Sequence, residues 1–520
     1  MTAQVKTAGL DRYAQIGELA TRVHLLFRRI WVPSVALISL QTVVLFYTGS
    51  PGAICFALLA SSTFITLGVW QTRGIGLPIM PMLVLQNLFV YGLPIVTGHE
   101  VVRQYPESFL LASGIEVMVF NFAIAAAWRL GMEMFPPARP ISYSLPDFQR
   151  GGGEKLKRLG LILVSCGVLY QILEKVDILS IFFALLPDGS ASLIFPLVVG
   201  MNSCGFFLLS LFVGTGEVKA GERLAFWALL ILSCAISASG LLLSGVTTIA
   251  VAVFVGLFWS NGRIPWRYLT LVVVALAFLN LGKFTMRGRY WSFNGEPSPM
   301  PGGLVGMVGT YSEWTAVSYD ALAHPVGEEQ AGGISSGADQ TKKTNQSLLE
   351  RVNNLQNLLF VIDAVEAQHI SVIDGASYTL IVPLLIPRIM WPNKPRSHQG
   401  QALLNVHFGR QDLNSTYKTY VAWGLIPEAY GNFGAITGSF LLGGTLGLMF
   451  AWIEAYTARK LLLSLEGFVC FVFILGMANS FEMVASVLVT TIFQSIVPIV
   501  LVSLPFLRRA NVTRPVELNP

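Results

Sequence analysis

The chain has 520 residues, of which 53% are hydrophobic and only 12% charged, and its mean hydropathy is +0.62. Soluble domains carry about 25% charged residues, so this composition excludes an ordinary water-soluble fold and points to an integral membrane protein. The net charge of +5 is too small, and too dispersed, for a nucleic-acid-binding surface.

Residues 1–29 read as a cytoplasmic or interfacial amphipathic helix. Leu10, Tyr13, Ile16, Leu19, Val23 and Leu26 recur at three and four, with Arg12, Arg22, Arg28 and Arg29 beside that apolar face. The first long apolar run starts too late, and lacks the small-residue site, for a cleaved signal peptide. Runs of roughly 17–25 residues can cross a bilayer. The sequence predicts such spans at about 30–48, 52–71, 77–98, 108–130, 159–174, 191–214, 224–241, 242–259, 265–282, 433–456, 467–484 and 486–506. Helices 1–9 thus occupy 30–282 and helices 10–12 occupy 433–506, leaving a tail at 507–520. The nine-residue run Ile178–Leu186, closed by Pro-Asp-Gly, is too short to span and reads as interfacial or re-entrant.

An all-α polytopic protein with about twelve spans has both termini on one side. With a cytoplasmic N-terminus, the inner connections hold Arg73; Arg139, Arg150, Lys155, Lys157 and Arg158; Lys219 and Arg223; Arg263 and Arg267; Arg459 and Lys460; and Arg508, Arg509 and Arg514. Short outer loops hold only Arg103 and Lys175. That asymmetry obeys the positive-inside rule and places the long interval 283–432 outside. Within it, 283–326 is rich in aromatics, Gly and Pro, 327–346 reads as a polar tip, and the spacing 348, 352, 355, 359, 362 predicts an amphipathic helix. No internal repeat of the kind found in many transporters is visible.

The interval holds Arg287, Arg289, Arg351, Arg388, Lys394, Arg396, Arg410 and Lys418. Arginine grips phosphate oxygens with a planar fork, and lysine acts as a point charge. Three of these cations lie in Ile386-Pro-Arg-Ile-Met-Trp-Pro-Asn-Lys-Pro-Arg396, where three prolines stiffen an extended segment. A rigid basic loop beside a membrane suits an anionic ligand. Loss of Lys394 should matter less than loss of Arg388, because only one point charge leaves a multi-cation site. The aromatic faces of Trp291, Trp314, Trp391, Tyr417, Tyr420 and Trp423 suit sugar C–H surfaces, although such residues also anchor loops among lipid headgroups. Glu428, beside Asn432 in Pro427-Glu-Ala-Tyr-Gly-Asn432, is a candidate general base or the partner of an arginine; Glu482 is a second candidate.

The five cysteines all lie in apolar segments and receive no chemical role. Four loop histidines fit no metal spacing, Asp-x-Asp and Walker motifs are absent, and no metal or cofactor is expected. Charged groups are nearly missing from the spans, which argues against a transporter with a midplane site.

The sequence Leu385-Ile-Pro-Arg388-Ile-Met-Trp391-Pro-Asn-Lys394-Pro395, with Asp374-Gly-Ala-Ser-Tyr-Thr before it and Ile426-Pro-Glu428-Ala-Tyr-Gly-Asn432-Phe-Gly434 after it, resembles the oligosaccharide repeat-unit polymerases of the O-antigen polymerase (Wzy) group. The resemblance covers about residues 350–445, and the polar tip at 327–346 departs from it. It implies a GT-C-type membrane glycosyltransferase of the bacterial inner membrane with one large periplasmic loop containing short helices. Its substrate would be an oligosaccharide on undecaprenyl pyrophosphate, with membrane lipid around it and a chain-length regulator and flippase as further partners. Arg287, Arg289, Arg351, Arg388, Lys394, Arg396, Arg410, Trp391, Tyr417 and Asn432 would then bind substrate or pyrophosphate, with Arg388, Glu428 and Glu482 catalytic. The alternatives are an O-antigen ligase-like transferase and a lipid-linked oligosaccharide flippase or exporter.

Overall fold

A computed structural model describes residues 16–144, 153–186, 191–291, 303–324, 353–388, 390–418, 421–462, 464–478, 480–503 and 508–511. The chain divides into two compact units, residues 1–10 with 152–351 and residues 11–151 with 352–520.

The described part of the second unit opens with α1 (Ile16–Tyr47), α2 (Ala53–Arg73), α3 (Ile79–Val96), α4 (Glu100–Gln104), α5 (Glu107–Met134) and β1 (Ile141–Ser144). The other unit follows with α6 (Gly153–Lys175), α7 (Ile178–Ala184), α8 (Ala191–Thr215), α9 (Ala220–Ala238), α10 (Ser244–Asn261), α11 (Trp266–Tyr290) and α12 (Gly303–Ala323). The chain then returns to the second unit through six short or medium helices: α13 (Leu355–Glu366), α14 (Ala376–Thr379), α15 (Ile381–Leu385), α16 (Gln399–His407), α17 (Leu413–Lys418) and α18 (Leu425–Phe433). It ends with α19 (Thr437–Thr457), α20 (Leu465–Ala478), a 3-10 turn at Ser480–Glu482, α21 (Ala485–Ser503) and β2 (Arg508–Asn511).

Among the described residues, ten helices are long and apolar enough to cross a membrane, rather than twelve. The last two predicted spans make the difference. Helix α20 has 14 residues, about 21 Å at 1.5 Å per residue, which is short of a bilayer core of roughly 30 Å. The apolar stretch of α21 described in full runs only to Val497. Two further expectations change. The N-terminal amphipathic segment and the first span are one continuous helix from Ile16. The interval expected to be loop from residue 283 starts as the last two turns of α11 and then holds the 21-residue α12. Its glycines and hydroxyl residues disguise a helical face in which Thr310, Trp314 and Ser318 are buried at spacing four.

In the second unit α5 packs closely on α19. Gly443 and Gly447 stand one turn apart, and a Cβ on them would meet Phe120 O at 2.7 Å and Ile124 O at 2.5 Å. In lipid, where apolar burial gives little drive to association, such backbone proximity supplies the dispersion contact. Two carboxylates pin the ends of α19. Glu116 of α5 accepts from Ile436 N at 2.7 Å and Ser439 Oγ at 2.5 Å, satisfying the N–H of the residue before the helix and a hydroxyl in its first turn. Glu454, in the last turn, accepts from Trp70 Nε1, Trp128 Nε1, Ile75 N and Gly76 N at 2.8–3.2 Å. Strand β1 pairs antiparallel with β2, Ile141 opposite Asn511.

The other unit buries Val164, Phe206, Phe226 and Val253 at its core. A polar ladder joins three of its helices: Asn202 donates to Ser233 Oγ, Ser233 to Gln171 Oε1, and Gln171 to Ser237 Oγ, at 3.0–3.1 Å.

Candidate functional site

The short apolar helix α15 leads straight into the proline-rich basic segment, and its C-terminal carbonyls need donors. Lys394 supplies them: its Nζ donates to Leu384 O at 2.8 Å and Ile386 O at 2.5 Å. Only 7% of Lys394 is exposed. Burial, and next the charge of Arg388, pull its pKa down from the usual lysine range. Lys394 is therefore a staple for the loop's entry as well as a charge. Its removal should loosen the segment, contrary to the mild effect expected of one spare point charge. Arg388 closes the other side, donating to Pro392 O at 3.1 Å and Pro395 O at 3.3 Å. Outside this double staple Met390 and Trp391 project, 75% and 40% exposed. Arg396 lies on the exposed rim.

Arg410, after α16, is held differently. It donates to Ala422 O at 3.2 Å and to Asn357 Oδ1 at 2.8 Å. Its guanidinium lies 5.0 Å from the centre of the Phe360 ring and 6.0 Å from that of Trp423. Burial pulls its pKa down to about 10, so it stays charged at neutral pH. Trp423 is fixed in turn by Asn405 Oδ1 at 2.7 Å. Among the described residues, no ion pair involves Arg388, Lys394 or Arg410.

Glu428 enters α18 with no exposed surface. It accepts from Ser377 Oγ and from Ala485 N, each at 2.6 Å, the latter being the first N–H of α21. Asn432, one turn later, donates to Glu428 O at 2.7 Å and Ser377 Oγ at 2.9 Å. Glu428 thus joins three elements and, among the described residues, pairs with no arginine. Burial pushes its pKa up from the ordinary 4.5 to about 7, against the opposing effect of the two donors. The raised value means that its contribution to stability is complete below about pH 4.5 and is lost as pH rises through 7. Glu428→Gln keeps a carbonyl for Ala485 N and an amide for Ser377 Oγ. Its melting temperature should therefore gain on the wild type between pH 5 and pH 8, whereas Glu428→Ala should melt lower throughout. An equal wild-type-to-Gln difference at both pH values would contradict this.

Glu482 is half-buried on the 3-10 turn, and its backbone carbonyl accepts from Trp423 N at 3.3 Å. Beside it Asn354 donates to Phe481 O at 2.8 Å and Tyr91 Oη at 3.0 Å. Gly424 lies against this amide at φ +94°, where a Cβ would stand 2.1 Å from Asn354 Nδ2, so only glycine fits. A small cavity lined by Asn87, Tyr91, Asn354 and Leu425 has room for about one water.

Arg287 and Arg289 belong to the other unit, and both have partners there. Arg287 donates twice to Leu241 O, at 2.8 and 3.0 Å, and stacks on Trp291. Arg289 pairs with Glu313 at 2.5 Å, and Tyr290 Oη donates to the same carboxylate. Arg351 and the side chain of Tyr417 lie outside the described residues.

The expectation of nearly charge-free spans also needs correction. Glu116 and Glu454 are buried inside α5 and α19. They escaped notice because a single acid barely alters the hydropathy of a 20-residue window. Asp363 is half-buried on α13, outside the spans. Among the described residues, no three His, Cys, Asp or Glu side chains gather as metal ligands. No family model, curated protein or solved structure matches the chain.

Proposed function

We propose that this multi-pass membrane protein polymerises oligosaccharide repeat units carried on undecaprenyl pyrophosphate, at the periplasmic face of the bacterial inner membrane. One observation carries the reading: within a single unit, Arg388, Lys394 and Arg410 are held by carbonyls, an amide and aromatic rings instead of carboxylates. Cations held by neutral groups keep their charge for an external anion. A pyrophosphate leaving from a sugar develops such charge, and preorganised donors stabilise it. Trp391 and Met390 beside Arg388 offer apolar surface for the sugar or the lipid stem. The cations in the short connections, read by the positive-inside rule, support an outer position for this segment.

An exporter is the second reading, because Glu116 and Glu454 are intramembrane carboxylates. Each is already occupied by N–H or O–H donors at a helix end, which favours a structural role for both.

The test uses the lipid-linked oligosaccharide that accumulates in cells lacking the gene, mixed with purified protein in nanodiscs. The expected result is a ladder of polymer from that lipid alone, without any imposed gradient. Transfer only when another acceptor is supplied would identify a ligase. Transbilayer movement without new glycosidic bonds would identify an exporter.

A further inference from the structure

A glycosyl transfer also needs somewhere for the acceptor's proton to go, and the described carboxylates of the second unit differ in their availability. Glu428 has no exposed surface and both oxygens taken. Glu366 holds the Tyr430 hydroxyl at 2.9 Å. Asp363 is partly open, and among the described residues its side chain accepts one hydrogen bond, from Gln368 Nε2 at 2.8 Å.

Asn357, Phe360 and Asp363 follow one another at spacing three along α13, a single ridge of the helix. Arg410 engages the first two of them, by hydrogen bond and by ring contact. Asp363 is the next position on that ridge, yet it forms no ion pair with Arg410. Both charges also act on the phenol of Tyr105, in the connection between α4 and α5. Burial, then Asp363, push its pKa up, while Arg410 pulls it down. Asp363 thus stands one helical step from the Phe360 ring that the Arg410 guanidinium lies against, and no ion pair joins the two charges.

Resting on the polymerase reading, we propose that Asp363 is the general base of the transfer and that Arg410 meets the charge of the departing pyrophosphate. The acceptor sugar's hydroxyl oxygen forms the new bond to the anomeric carbon, and its proton passes to the Asp363 carboxylate. The bond from that carbon to the pyrophosphate oxygen breaks, and its electron pair leaves with the pyrophosphate. No further reactant is needed. Asp363 stays in reach of solvent, so it can release the proton between turns.

The test compares wild type, Asp363→Asn, Asp363→Ser and Asp363→Glu, full length in nanodiscs, with the lipid-linked repeat from gene-deleted cells as substrate. The expected result is a fall in kcat of about a hundredfold or more in the Asn and Ser variants, the usual scale for losing a base. KM should stay within about twofold and the melting temperature should be unchanged, with part of kcat restored in the Glu variant. A kcat near wild type in Asp363→Asn overturns the proposal. So does a fall that appears only in KM, or loss of folded protein in both Asn and Ser variants, since either marks a structural role. If wild type itself makes no ladder, the polymerase reading fails instead.

Discussion

Arg388→Ala is expected to reduce polymer formation by at least a hundredfold while protein level and membrane insertion stay as in the wild type. Loss of one preorganised donor to developing charge commonly costs this much in rate. Folding should tolerate the change, because the two carbonyls that Arg388 holds, Pro392 O and Pro395 O, belong to an exposed loop where water can replace it. Arg388→Lys should fail nearly as badly, since an ammonium lacks the fork that spans two acceptors. Lys394→Ala separates charge from architecture. It leaves Leu384 O and Ile386 O without their buried donor, so it should lower both activity and thermal stability. Normal chain lengths in Arg388→Ala, read on a gel of extracted glycan, would dismiss the anion-site reading.

Glu454→Ala is expected to abolish recovery of monodisperse folded protein in detergent. It strips acceptors from two indole and two backbone N–H groups at once, three of them buried and that of Ile75 half-buried. Each orphaned donor costs about 1–3 kcal/mol, so the sum is on the order of 4 kcal/mol or more, against a typical total stability of roughly 5–15 kcal/mol. Glu454→Gln keeps one carbonyl for the backbone pair of Ile75 and Gly76 but turns an amide N–H₂ toward the indoles. It should fold with a lower melting temperature. A Glu454→Ala protein that elutes as one peak and melts within about 2 °C of wild type would show that water or a neighbour replaces the carboxylate.

The fold and the site were legible to different depths. Helices α2, α3, α5, α8, α9 and α10 coincide within about four residues with the predicted apolar runs, whereas α6 starts six residues before its run and α11 ends eight residues after its own. Helix α12 was hidden because its glycines, serines and threonines lower mean hydropathy, while the residues that make it a helix show only as a buried face. The Pro-Arg, Trp-Pro and Lys-Pro pattern announced a basic loop, and the described residues from Pro387 to Ser397 are turns and irregular backbone. It could not reveal that Lys394 spends two donors on α15, or that Arg289 finds Glu313 while Arg410 finds no carboxylate among the described residues. Glu428 read as a candidate base but more readily as an arginine's partner, and it turned out to accept from the first N–H of α21.

The sequence by itself determined the solvent. Hydrophobicity and charge are local sums over about 20 residues, so membrane character, most span positions and the existence of a cationic segment between the long apolar runs follow without tertiary information. Tertiary structure alone decided which charges are occupied. The indole of Trp70 meets Glu454 across 384 residues of chain, and Glu428 meets Ala485 across 57. Such pairings are set by which helix ends pack together, and no local pattern encodes them. Buried polar groups must find partners wherever packing puts them, so the sequence can say that a carboxylate exists but not whether it is spent on holding the fold or left open to a substrate.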